Sequence, residues 1–447
     1  MTKIIDKAKS YISSTLNQNR GALKHLLTTF MLSSIANIFT VAFYFIMSRK
    51  LGPESYSAFA VLLAIFQIAS VTAGVVSIVI IKYISYFKAK SQYDKISMLL
   101  NLSIKYLFAS GFLVFLLLSI FSQDISDLFN LNSRFAVVLL GLFIWSFLFI
   151  TSLLSALNGL QRYFTLGLNR IFEAIATLIL GILFVYLLRL NVNGAVLAMF
   201  LGAVATIPFC LGALKNIIMI KKTPLGKIGL MEYIILATLI SSLIGIMLNI
   251  DVMMVKSFFD ETESGFYGAT SLVGSIVFFI SSALNTIIFP KVSELYSNGE
   301  DTSEYLRFGL FWTTLGCSIV IISYFLFPSF IVNIAVGNKY NISSYIGIYS
   351  IAMSLLALTN VIVVYNLAIK KWNILYVLFP ALFIEMLLIF LFHQSIQQVI
   401  IIVLIFNILL LVALLILCND QIKDIFYIKK GYKKYPSSLS FRLLKNT

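Results

Sequence analysis

The chain has 447 residues, of which 60% are hydrophobic and 11% charged, and its net charge is +15. No soluble domain hides that much apolar surface. The composition therefore excludes soluble enzymes and disulfide-rich secreted scaffolds, and it indicates an all-α polytopic membrane protein.

In chain order, residues 1–24 come first as a cytosolic amphipathic segment. Ile4, Ile5, Ala8, Tyr11, Ile12 and Leu16 recur at helical spacing among Lys3, Lys7 and Lys9, which predicts an interfacial helix. The polar lead is too long for a signal peptide. Twelve apolar blocks follow, at about 25–48, 57–81, 98–121, 135–157, 165–188, 192–218, 230–256, 264–289, 306–331, 342–368, 372–392 and 396–418. Each is long enough to cross a hydrocarbon core of roughly 30 Å as a helix. A basic tail, 419–447, closes the chain, and its Lys429, Lys430, Lys433 and Lys434 suit anionic headgroups.

Cations set the orientation. With the N-terminus in the cytosol, only Arg49, Lys50, Arg134, Arg189, Lys256 and Lys339, of 33 Lys and Arg, fall outside. One span more or fewer would invert every later loop and erase that bias. The expectation is an even count with both termini cytosolic, in a cell membrane. The same bias explains the positive charge without nucleic acid as a partner.

The halves resemble each other. Gly52-Pro53-Glu54-Ser55-Tyr56-Ser57-Ala58 follows the first span, and Glu263-Ser264-Gly265-Phe266-Tyr267-Gly268-Ala269 follows the seventh. Each places an acid and a Tyr-x-Ala before the next helix. Six spans per half restore the starting side, so the halves are expected to be parallel repeats. The expected lobes are 25–220 and 221–418, around a central cavity.

Few charges lie within spans, where they are costly and mark function. Arg170 and Glu173 share a face of the fifth span at i, i+3 spacing. They read either as a cavity cation steadied by its own carboxylate or as a structural ion pair. Asp251 ends the seventh span and reads as a coupling acid or as a structural acid beside Lys256. Glu385 sits mid-way in the eleventh, flanked by Phe383, Ile384, Met386 and Leu387. Lys105 and Arg307 begin the third and ninth spans, and Arg49 and Lys256 end the first and seventh. They are phosphate-binding candidates or interface anchors, Arg being suited to two phosphate oxygens at once. Pro208, Pro328 and Pro380 predict helix bends. Cys210, Cys317 and Cys418 read as packing residues, and no metal site or cofactor is expected beyond a proton or sodium ion.

Four motifs carry a resemblance. They are Arg49-Lys50-Leu51-Gly52-Pro53-Glu54-Ser55-Tyr56, with Ser57 where glycine is usual; Asn158-Gly159-Leu160-Gln161-Arg162-Tyr163-Phe164; Asp251 with Gly265-Phe266-Tyr267-Gly268-Ala269; and Phe289-Pro290-Lys291-Val292-Ser293-Glu294. In these the chain resembles the polysaccharide and O-antigen flippases of the multidrug/oligosaccharidyl-lipid/polysaccharide exporter superfamily. The resemblance implies a transporter, not an enzyme. Its substrate would be a polyprenyl phosphate- or pyrophosphate-linked oligosaccharide, moved to the outer leaflet by alternating access. It also implies polysaccharide assembly proteins as partners, and one twelve-span chain can enclose a cavity as a monomer. A cation-coupled multidrug exporter is the alternative, disfavoured because the first four spans hold no Asp or Glu. A membrane polymerase or glycosyltransferase is a third reading, weakened by the short loops.

Overall fold

The computed structural model describes residues 20–220, Thr223 and residues 231–418. Residues 1–19, Lys221, Lys222, Lys227 and the tail 419–447 lie outside the described residues, and with them the expected interfacial helix and headgroup-binding lysines. Among the described residues every regular element is helical. That is the solution a bilayer imposes, because only a helix satisfies its own N–H and C=O groups without water.

The first and second spans form one helix, Arg20–Ala89, interrupted at Gly52 (φ 71, ψ 172). Glycine tolerates that positive φ, and Pro53 restarts the helix without needing an N–H partner. Then come Tyr93–Ile120, Arg134–Gly159, Tyr163–Leu187 and Asn191–Ile218, the third to sixth spans. The seventh is a pair, Met231–Met247 and Ile250–Phe258, bent by 43°. Glu261–Ser297, Ser303–Leu326, Ile346–Ala368, Trp372–Leu391 and Ile396–Leu417 are the eighth to twelfth. Among the described residues ten helices are long and apolar enough to cross a membrane, or eleven with the bent pair, and the first of them, Met31–Ala89, runs through the interruption at Gly52 over the first two of the twelve expected blocks.

The prolines expected to bend helices sit at three kinds of place, while the 43° bend falls at a break without proline. Pro208 sits at the restart of the sixth span after Thr206, Pro328 opens the short helix Pro328–Ala335, and Pro380 lies inside the eleventh span. The fifth span closes differently, in a π-helical turn at Ile182–Leu187.

The chain forms two compact units. The first takes in the chain to Ala269 together with Val332–Asn341, and the second takes in Thr270–Ile331 and the chain from Ile342 onward. This division by packing differs from the expected division by repeat, since the seventh span and the start of the eighth pack with the first six. In the first unit the fourth span is enclosed by the second, third and sixth. In the second unit the tenth span holds the corresponding place among the eighth, ninth and twelfth.

Four of the turns close alike. The second span ends at Ser91 (φ 55), with Gln92 N–H bonded to the Phe87 carbonyl at 2.9 Å. The eighth ends at Gly299 (φ 73), with Glu300 N–H bonded to Leu295 at 3.0 Å. The fourth ends at Gln161 (φ 60) and the tenth at Lys370 (φ 56), with the same crossing bonds from Arg162 to Leu157 and from Lys371 to Asn366. All four are left-handed caps that satisfy the last carbonyls of a helix. A short helix follows the third span, Ser122–Leu128, as Pro328–Ala335 follows the ninth.

Candidate substrate site

The fifth span has two sides. At 100° per residue, the exposed Phe164, Leu168, Phe172 and Ile179 fall within a stripe of roughly 80°. This is the side suited to lipid. Arg170 lies roughly 160° from the middle of that stripe, yet it too is exposed. Its neighbours on that side pack closely. A Cβ on Gly167 would come within 2.5 Å of Leu32, and one on Gly181 within 2.6 Å of Phe43, both on the first span. Asn169 donates to the Cys210 sulfur of the sixth span at 2.8 Å. Arg170 therefore stays accessible on the side turned toward the first and sixth spans.

Glu173, one turn on, is half-buried and lies near Tyr44 of the first span and Cys210 of the sixth. It also feels the charge of Arg170. No ion pair within 4 Å closes between Arg170 and Glu173, so the guanidinium keeps its donors for other acceptors.

The first span, which packs on the fifth through Leu32 and Phe43, also carries a polar stripe that the sequence reading passed over, and Tyr44 of that stripe lies within electrostatic reach of Glu173. Ser33, Asn37, Thr40, Tyr44 and Ser48 occur at spacings of three and four and share a strip roughly 80° wide. Asn37 is exposed; Ser33, Thr40 and Tyr44 are half-buried. Met31, Ile35 and Ile38 occupy the opposite, apolar and exposed side. The signal was legible as polar residues at helical period inside an apolar block. It was missed because none of the five is charged.

The other expected residues are dispersed. Lys105 is exposed on the third span and Arg307 is exposed on the ninth. Arg49 is exposed, but its guanidinium donates to the carbonyls of Asn333 (2.6 Å) and Ile334. Lys256 is 2% exposed and is answered electrostatically by Glu261 and Asp260. Asp251, at the restart of the bent seventh span, is fully buried. It accepts the Tyr267 hydroxyl at 2.7 Å and the Val252 N–H at 2.8 Å. Asn249, in the break itself, returns its amide to the Gly245 carbonyl at 2.9 Å. Glu385 is 1% exposed, on the buried face of the eleventh span with Leu378, Ala381, Leu382 and Ile389. Among the described residues no group of His, Cys, Asp or Glu has the arrangement of a metal site.

By sequence, the chain matches no protein-family model and no curated protein. Solved structures do resemble it. An inward-facing multidrug-resistance MATE transporter of the MOP superfamily matches over 90% of this chain and 100% of its own, with a TM-score of 0.71 at 14% identity. The lipid II flippase MurJ, in an inward closed conformation, matches over 87% of each chain, with a TM-score of 0.61 at 14% identity. A MOP superfamily transporter from Pyrococcus furiosus, described as having a binding pocket of reverse polarity, matches over 90% of this chain and 95% of its own. Its TM-score is 0.57 at 13% identity. At such identities the likeness is one of fold. The chain is an α-helical multi-pass membrane protein with the fold of MOP superfamily transporters.

Proposed function

We propose that the chain moves a lipid-linked oligosaccharide, on polyprenyl phosphate or pyrophosphate, from the inner to the outer leaflet by alternating access. The observation that carries this reading is the uncharged polar stripe on the first span, a helix that packs on the fifth, which exposes Arg170. A sugar head leaves water only if its hydroxyls find new partners. Asn37, Thr40 and Tyr44 supply amide and hydroxyl groups without a fixed charge, and Arg170 supplies the fork that suits a phosphate. The apolar opposite side of the same helix suits the polyprenyl tail. Lys105 and Arg307 would meet the phosphate near the inner ends of their spans. Lys256 is a weaker phosphate contact than it first reads, because its stem is buried, and Arg49 has its donors on carbonyls.

A proton or sodium gradient is the expected drive, with Glu173, Asp251 and Glu385 as the acids able to take the ion. On this reading the protein works as a monomer in the cell membrane with both termini cytosolic. It receives its substrate from polysaccharide assembly proteins, and its basic tail lies on anionic lipid.

A cation-coupled multidrug exporter is the second reading. It is favoured by Glu173 within electrostatic reach of the Tyr44 hydroxyl, an acid and an aromatic residue that suit an organic cation. Depleting the protein in its native cell separates the two. The flippase reading expects a lipid-linked saccharide to build up on the inner leaflet. Retention of cationic dye without such build-up would replace it with the exporter reading.

A further inference from the structure

A second group of uncharged polar residues lies in the first unit, where the seventh span packs on the second. A Cβ on Gly245 would come within 2.6 Å of the Val71 side chain, so the two helices touch there, near the middle of both spans. They run antiparallel. Tyr267 of the eighth span bonds Asp251 near the close of the seventh, and Gly265 of the eighth lies against Pro53 at the start of the second. Residues equal steps from the contact therefore lie level with each other. On the second span Gln67 and Gly74 share the face of Val71, at i−4 and i+3. On the seventh, Ser241, Ser242 and Asn249 share the face of Gly245, at i−4, i−3 and i+4. Gln67 is thus level with Asn249, and Gly74 with Ser241 and Ser242.

Polar residues at a contact between membrane helices commonly serve as glue, bonded across the interface. These do not. Gln67 is exposed and both serines are half-buried, and among the described residues none of the three side chains makes a hydrogen bond. Asn249 is 5% exposed, sits in the break of the bent span, and donates its Nδ2 to the Gly245 carbonyl at 2.9 Å. Its Oδ1 accepts no bond from the described residues. A buried carbonyl oxygen left without a donor is costly. Gly74 adds room, for nothing lies within 4 Å of where its Cβ would stand. The result is a notch with amide and hydroxyl groups on its walls and no charge.

Such a notch offers no counter-charge to a phosphate or an organic cation. It suits a sugar, whose hydroxyls donate and accept at once and need replacement partners when they leave water. Its two levels stand seven residues, roughly 10 Å, apart along the helices, so it takes an oligosaccharide rather than a single sugar. We propose that it is a saccharide subsite. Gln67 and Asn249 bond hydroxyls at one end of the sugar chain, and Ser241 and Ser242, beside Gly74, bond those at the other. The subsite is additional to the first-span stripe, and it rests on the lipid-linked saccharide reading.

The test uses the full chain in lipid nanodiscs and two probes. One is the lipid-linked saccharide that accumulates in cells depleted of the protein; the other is sugar-free polyprenyl phosphate. The parent should bind the first more tightly. Gln67→Leu, and Ser241→Ala with Ser242→Ala, should each weaken binding of the saccharide lipid about fivefold, the loss of roughly one net hydrogen bond. Binding of polyprenyl phosphate should not change. Gly74→Val has room for its side chain, so it should keep the parent's melting temperature while weakening saccharide binding at least as much. Arg170→Ala should weaken both probes, which separates the phosphate contact from the sugar contacts. Undiminished saccharide binding in all three notch variants would overturn the subsite and leave the flippase reading standing. So would equal losses for both probes, because that marks general damage. A parent that binds the two probes alike, or depletion that accumulates no such lipid, would instead remove the flippase reading and the subsite with it.

Discussion

Tyr267 donates its hydroxyl to Asp251 at 2.7 Å, fully buried on both sides, and so ties the break in the seventh span to the start of the eighth. The bond explains how a carboxyl is held inside an apolar span. Asp251 also accepts the Val252 N–H, one of the donors that a helix restart leaves open. Tyr267→Phe removes the donor and leaves the acid short of a partner. The expected loss is about 1–3 kcal/mol, read as a lower melting temperature in detergent. A melting temperature equal to that of the parent would show that the pair adds nothing to stability.

Arg170 should matter to transport more than to folding. It is exposed, closes no ion pair with Glu173, and holds no packing position. Arg170→Ala should reduce translocation tenfold or more, if it removes a charged hydrogen bond of about 1.5–3 kcal/mol. Membrane level and insertion should persist. Arg170→Lys should recover part of the rate, because a point charge replaces the fork. Full transport by Arg170→Ala would take the residue out of the site.

Glu385 tests the drive. A carboxyl 1% exposed among apolar side chains is costly to keep charged. If it takes up the coupling ion, transport in vesicles should fall when an ionophore collapses the proton or sodium gradient. Glu385→Gln or Asp251→Asn should be slow already and insensitive to the ionophore. Transport that ignores the ionophore in the parent would exclude gradient coupling.

The approach of the sixth span to the fifth should be intolerant of bulk. A Cβ on Gly202 would fall 2.1 Å from the Thr177 hydroxyl oxygen and 3.0 Å from the Thr177 nitrogen. Gly202→Val must push the fifth span away, at a cost of about 1–3 kcal/mol for overpacking. Because the same helix bears Arg170, transport should fall along with thermal stability. Normal stability in this variant would mean that the two helices part freely.

Sequence by itself determined the helical class and where the apolar spans lie. The reason is that a bilayer leaves one way to satisfy a backbone, so apolar length reads directly as a span. Pro53 beside Gly52, and left-handed Ser91, Gln161, Gly299 and Lys370 at the helix ends, then mark where the chain turns. Side-chain roles were different. Arg49 and Arg170 both read as candidate phosphate ligands, yet one is fastened to the end of the helix Pro328–Ala335 and the other keeps its donors. The uncharged stripe of Asn37, Thr40 and Tyr44 gained meaning only once its helix packed on the fifth span, which bears Arg170. Period and composition report what each helix carries. Which side chain meets which partner depends on how helices distant in sequence pack, and the tertiary structure alone decides that.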